Sequence, residues 1–119
     1  MSTGFSDDSK LAMADPLTCD LTVLSRDQRK RHSELTRFVL GKRNAVIELG
    51  NGYQLRFKNE GDIFLKIAEW VVLERACCPF LSFSLEIEGN EQPVRLSLKG
   101  PDGTKQILQA VLEEAGGTL

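Results

Sequence analysis

The chain has 119 residues, a net charge of −2 and 41% hydrophobic residues, an ordinary composition for one globular domain. This charge disfavours general nucleic-acid binding, which normally needs a basic field. No apolar run approaches the roughly 20 residues of a membrane-spanning helix, and the N-terminal residues lack the pattern of a secretory signal. We therefore expect a cytoplasmic protein with no membrane and no nucleic-acid partner.

The N-terminal part of the chain divides into a tail and a first ordered segment. Small polar residues without periodicity predict a flexible tail over residues 1–15, followed by a single α+β domain over residues 16–119. The domain opens with an alternation of apolar and polar residues, which predicts a half-buried strand with Cys19 facing inward. The apolar members of this alternation are Leu17, Cys19, Leu21 and Val23.

A helix and a hairpin are predicted next. Ser25 with Gln28 three residues later matches a capping box, so a helix should run from there to about Leu40 and end at Gly41. Two alternating runs then flank an Asn-Gly pair, which is a strong hairpin signal. Their apolar members, expected on the inner face, are Ala45, Ile47 and Leu49, then Tyr53, Leu55 and Phe57.

The remaining pattern repeats a helix followed by a hairpin and adds a final helix. The second helix should begin near Glu60 to Asp62 and end about Cys77, because Pro79 disfavours helical geometry before it. Alternation then predicts two more strands, and a helix follows from about Thr104. The predicted order is β-α-β-β-α-β-β-α, an α+β fold with an antiparallel sheet and helices packed on one face.

The second helix carries an unusual inner face. A step of 100° per residue places Glu74 in the middle of the apolar face, with Cys77 and Cys78 on either side of it. Burying an unpaired carboxylate is costly, so Glu74 needs a partner. On the first helix, Arg31 is the favoured partner and His32 lies beside it. The three are candidate catalytic residues, although a structural ion pair is the favoured interpretation.

The three cysteines allow several interpretations. Thiolates bind soft ions, so Cys19, Cys77 and Cys78 are candidate ligands of zinc or another soft metal. Adjacent cysteines are not the usual zinc spacing, however, and free cysteines often serve as small buried hydrophobes. Three cysteines, two of them adjacent, do not suggest a disulfide framework. A redox role remains open, although the helix C-terminus opposes a thiolate.

Four short motifs stand out along the chain. They are Cys19-Asp20-Leu21-Thr22, Gly52-Tyr53-Gln54-Leu55-Arg56-Phe57, Glu74-Arg75-Ala76-Cys77-Cys78-Pro79-Phe80 with Phe83-Ser84-Leu85, and Gly100-Pro101-Asp102-Gly103. Through these motifs the chain resembles a group of small, uncharacterised bacterial proteins, and the resemblance covers Cys19 to about Leu112. It implies a bacterial, cytoplasmic protein, and it singles out Cys19, Glu74, Cys77 and Cys78.

These observations lead to three functional hypotheses. The first is a small protein that binds a soft metal or another thiol-reactive species through its cysteine cluster. The second is a non-catalytic interaction domain with structural cysteines that forms a homodimer through a sheet edge. The third is a small enzyme in which buried Glu74 acts as acid or base, supported by Arg31 and His32.

Overall fold

A computed structural model describes residues 19–114 of the chain. In that range three helices and four strands confirm the α+β class, whereas the predicted tail over residues 1–15 lies outside it. The elements are a 3-10 turn at Leu21–Val23, helix α1 at Arg26–Lys42, strands β1 at Arg43–Leu49 and β2 at Gly52–Phe57, helix α2 at Ile63–Cys77, strands β3 at Ser82–Glu86 and β4 at Val94–Lys99, and helix α3 at Thr104–Glu114.

The four strands form one antiparallel sheet in the order β1-β2-β4-β3. Gly52, which opens β2, has to be a glycine because a Cβ there would collide with the backbone carbonyl of Leu98 on β4. Strands β1 and β3 are the outer strands of this sheet. A homodimer formed through one of these edges stays a prediction.

The apolar face of the sheet forms the floor of the core. Apolar residues of β2 and β4 stand opposite one another, for example Leu55 and Leu96, and both are fully buried. The other face carries polar residues such as Gln54, which donates a hydrogen bond to Ser97. The helices therefore cover one face, as the alternation predicts. Their largest contribution is Trp70 of α2, which is 2% exposed and donates to the Thr36 hydroxyl of α1 at 2.9 Å.

The segment predicted as a first strand has a different local structure. Leu21–Val23 forms a 3-10 turn, because the Asp20 carboxylate accepts from both the backbone N–H and the hydroxyl of Thr22. A short side chain that bonds its own backbone two residues on competes with strand pairing. Cys19 is exposed rather than turned inward. Only residues 19–23 of the expected strand can be compared, since the rest lies outside the described range.

The start of β1 also differs from its sequence pattern. Helix α1 continues through Gly41 to Lys42, and β1 begins at the next residue, with a register irregularity between Arg43 and Ala45. Because of this irregularity, the side chains of β1 lie on the opposite faces of the sheet from those expected. Val46 stands opposite Leu55 and packs against the core. Ile47, expected inside, is 37% exposed. A one-residue shift has this effect because side chains alternate between the faces.

Candidate functional site

The candidate site lies at the C-terminal end of α2. The buried face of this helix includes Glu74 and Cys77, as its periodicity predicts. Cys78 caps the helix with non-helical backbone angles, and its N–H still donates to the Glu74 carbonyl at 2.8 Å. The chain thus leaves the helix between two adjacent cysteines, which lets both side chains point inward. Cys77 and Cys78 are each 1% exposed.

All three sulfurs meet at this helix end. Cys19 and Cys78 form a disulfide with a Cα–Cα distance of 4.4 Å, and Cys77 is a free thiol whose sulfur lies 3.9 Å from that of Cys78. The backbone N–H of Asp20 donates to the Cys77 carbonyl at 2.7 Å, which holds the Cys19 segment against α2. Cys19 thus lies next to the pair, as a common site of the three cysteines requires. The expectation of unpaired cysteines was wrong.

Glu74 is the buried centre of the cluster, 7% exposed as predicted. Its Oε1 lies 2.6 Å from Nε2 of His32 on α1, a hydrogen bond that joins the two helices. Its Oε2 lies 3.4 Å from the sulfur of Cys78, and Oε1 lies 4.0 Å from the sulfur of Cys77. One carboxylate therefore contacts an imidazole and two cysteine sulfurs.

The predicted pairing of Arg31 with Glu74 is wrong. Arg31 instead forms two hydrogen bonds of 2.7 Å to the carboxylate of Glu69, and both side chains are substantially exposed. The next residue along α1, His32, faces inward and is the residue that contacts Glu74. A helical step of about 100° separates the two side chains, which is enough to move one to the rim and the other to the interior.

The surroundings of Cys77 keep it protonated. Burial raises the pKa of its thiol to about 11, and the nearby Glu74 carboxylate contributes in the same direction. At neutral pH Cys77 is therefore a thiol and a poor nucleophile. A bound cation would reverse both effects, because it supplies a positive charge in direct contact with the sulfur.

His32 connects the cluster to solvent. Its side chain is 13% exposed and lines a cavity of about 360 Å³, together with Leu21, Arg29 and Thr36 among others. The ring also contacts the buried Glu74 through Nε2, so the imidazole touches both the cavity and the carboxylate.

The cluster contains two overlapping sets of potential metal ligands. In one set, ligand atoms of Cys19, Glu74 and Cys78 all lie within 4.8 Å of one another, and the same holds for His32, Glu74 and Cys77. Glu74 belongs to both sets. The two sets include the three cysteines predicted as ligands and add the side chains of Glu74 and His32.

Comparisons with known proteins do not extend this picture. No protein-family model, curated protein or solved structure matches the chain. The resemblance to the bacterial group with the Cys-Cys-Pro-Phe motif therefore stays an expectation. Within residues 19–114, none of the helices has both the length and the apolar character needed to cross a membrane.

Proposed function

We propose that this protein binds a soft metal ion, zinc or a more thiophilic ion such as Cu⁺ or Hg²⁺, at the reduced cysteine cluster. The observation that carries the proposal is the spacing of three donors. The sulfurs of Cys77 and Cys78 are 3.9 Å apart, and each lies close to a different oxygen of Glu74, that of Cys77 at 4.0 Å from Oε1 and that of Cys78 at 3.4 Å from Oε2. A tetrahedral ion with bonds of about 2.3 Å to sulfur and about 2.1 Å to oxygen holds its ligand atoms about 3.5 to 3.8 Å apart.

Cys19 is the further ligand of this proposed site, since its sulfur lies within 4.8 Å of ligand atoms of Glu74 and Cys78. In the oxidised chain its sulfur is bonded to that of Cys78, so reduction frees two thiols at the same place. Three sulfurs with one carboxylate favour soft and borderline ions over magnesium or calcium, which prefer all-oxygen sites. His32 then does not bind the ion itself but orients its ligand Glu74 through their contact of 2.6 Å.

Proton competition is a consequence of the proposed site. Because the pKa of Cys77 is raised to about 11, a metal ion that binds its sulfur must displace a proton at neutral pH. The apparent affinity should therefore rise with pH up to about that value. A site formed only by surface carboxylates would show no such dependence above neutral pH.

Zinc titration of the fully reduced protein against a chromophoric chelator tests the proposal. We expect one ion per chain for the wild type, and loss of that ion in the Cys77→Ser/Cys78→Ser variant. Glu69→Gln is the matched control, since it removes a carboxylate from the same helix but outside the cluster. The oxidised wild type should bind weakly, because two of its sulfurs are joined. Equal uptake by the wild type and the double variant would refute the metal site.

A small acid–base enzyme is the second candidate function. It is favoured by the Glu74–His32 contact of 2.6 Å beside a solvent-facing cavity. Arg31 has no part in it, because its guanidinium is occupied by Glu69 on the helix surface. Metal binding takes precedence here, since Glu74 is in contact with the sulfurs of Cys77 and Cys78 rather than open to the cavity.

A further inference from the structure

The Cys19–Cys78 disulfide is strongly asymmetric in its exposure. Cys19 is an exposed residue before the 3-10 turn, whereas Cys78 is 1% exposed beneath it. A thiolate attacks a disulfide sulfur from the side opposite the leaving sulfur. A thiol arriving from solvent therefore meets Cys19 first, with Cys78 placed behind it as the leaving group.

We propose that Cys19 exchanges disulfides with low-molecular-weight thiols, with Cys78 as the resolving cysteine and Glu74 as its proton acceptor. The proposal goes beyond metal binding and does not depend on it. It assigns the cluster a second activity, reversible thiolation at one defined sulfur.

The exchange balances in both directions. In the oxidation of the reduced chain, the Cys19 thiolate attacks a small disulfide, forms a mixed disulfide with one half of it and releases the other half as a thiolate. The Cys78 thiol then passes its proton to Glu74 and attacks the Cys19 sulfur, which releases the second small thiolate. The small disulfide gains two electrons and the protein loses two. Reduction of the protein by two small thiols follows the same steps in reverse.

Glu74 is positioned for the proton transfer. Its Oε2 lies 3.4 Å from the Cys78 sulfur, and its Oε1 lies 2.6 Å from His32. Because Cys78 is only 1% exposed, solvent does not reach its thiol to take the proton directly. Glu74 accepts the proton, and His32, which lines the cavity, connects the carboxylate to solvent. The path therefore runs from sulfur to carboxylate to imidazole to solvent.

Cys77 takes no part in the exchange despite its place beside Cys78. Its sulfur is 3.9 Å from the Cys78 sulfur, but the residue is only 1% exposed, so a small disulfide in solvent does not reach it. A thiol that the incoming disulfide cannot reach forms no mixed disulfide. The position of the first adduct therefore distinguishes Cys19 from Cys77.

Glutathione disulfide is the probe that tests the exchange. It is added to the reduced protein in the presence of a chelator, the reaction is stopped with acid at intervals, and peptide mass mapping locates the adduct. We expect a transient adduct on Cys19 in the wild type and a persistent adduct on Cys19 in Cys78→Ser. In Glu74→Gln, ring closure, the attack of Cys78 on the mixed disulfide that forms the Cys19–Cys78 bond, should be about a hundredfold slower. Its rate should rise steeply with pH, because hydroxide must then remove the proton.

Two further variants serve as controls. Glu69→Gln should form the Cys19–Cys78 disulfide at the wild-type rate, and Glu74→Asp should restore part of the rate and a flatter pH profile. A first adduct on Cys77 or Cys78 in the wild type would overturn the proposal without relying on any variant. Ring closure in Glu74→Gln at the wild-type rate across the pH range would remove the role of Glu74. Since no metal is present, failure here leaves the zinc titration unaffected.

Discussion

Helices α1 and α2 are joined by two side-chain pairs whose α1 members are adjacent in sequence. Arg31 binds Glu69 in the open, where the side chains are 39% and 44% exposed. His32 binds Glu74 inside, where they are 13% and 9% exposed. The first pair has two hydrogen bonds of 2.7 Å, and the second has one contact of 2.6 Å. Geometry alone would rank the surface pair as the stronger.

Solvent reverses that ranking. The hydrogen bonds between Arg31 and Glu69 lower the pKa of the carboxyl group and raise that of the guanidinium, yet water and salt screen an exposed pair. Removal of one member of a buried pair leaves its partner without a hydrogen bond in a poorly solvated place. The buried pair therefore determines the chemistry that is possible between the two helices, whereas the surface pair mainly aligns the helices.

Substitution of each carboxylate should expose the largest difference between the pairs. Glu74→Ala strips His32 of its partner and opens a gap beside two sulfurs, so we expect a loss of about 3 kcal/mol in the free energy of unfolding. Glu69→Ala should change it little, because both members face water. Urea unfolding of the oxidised proteins measures both. Equal losses in the two variants would contradict the distinction between the pairs.

Alkaline pH should reveal a smaller effect, located at Cys77. Its pKa rises from an ordinary 9.0 to about 11 on folding, so the unfolded chain gives up this proton first. The stabilising contribution of the neutral thiol is complete below about pH 9 and is lost as pH rises through about 11. The difference in unfolding free energy between the oxidised wild type and Cys77→Ala should narrow over this interval. A difference in unfolding free energy that stays constant from pH 9 to 11 would contradict the raised pKa of the Cys77 thiol.

Periodicity predicted the inner face of α2 well because it is a geometric property of a single helix. The position of Glu74 between the two cysteines follows from the 100° step alone, and the structure places it there, 7% exposed. The choice between Arg31 and His32 did not follow, because it depends on how α1 is rotated against α2. The long guanidinium reaches the surface carboxylate, whereas the shorter imidazole fills the interior.

Local hydrogen bonds explain why the segment around Cys19 was harder to predict. Alternation indicates a strand there, but the Asp20 side chain binds Thr22 and folds the backbone into a turn. The disulfide was missed for a related reason. Whether Cys78 meets Cys19 depends on where α2 ends, and the backbone leaves the helix just after Cys77. Neither cysteine spacing nor cysteine count carries that information.

X-ray absorption at the zinc edge of the reduced, zinc-loaded protein identifies the atoms bound to the ion, so it checks the proposed ligand set itself. The proposed site predicts a shell dominated by sulfur at about 2.3 Å, with one lighter ligand from Glu74. Cys77→Ser should replace one sulfur by a lighter atom, whereas Glu69→Gln should leave the shell unchanged. A shell of nitrogen and oxygen alone in the wild type would contradict the assignment of Cys19, Cys77 and Cys78 as the metal ligands.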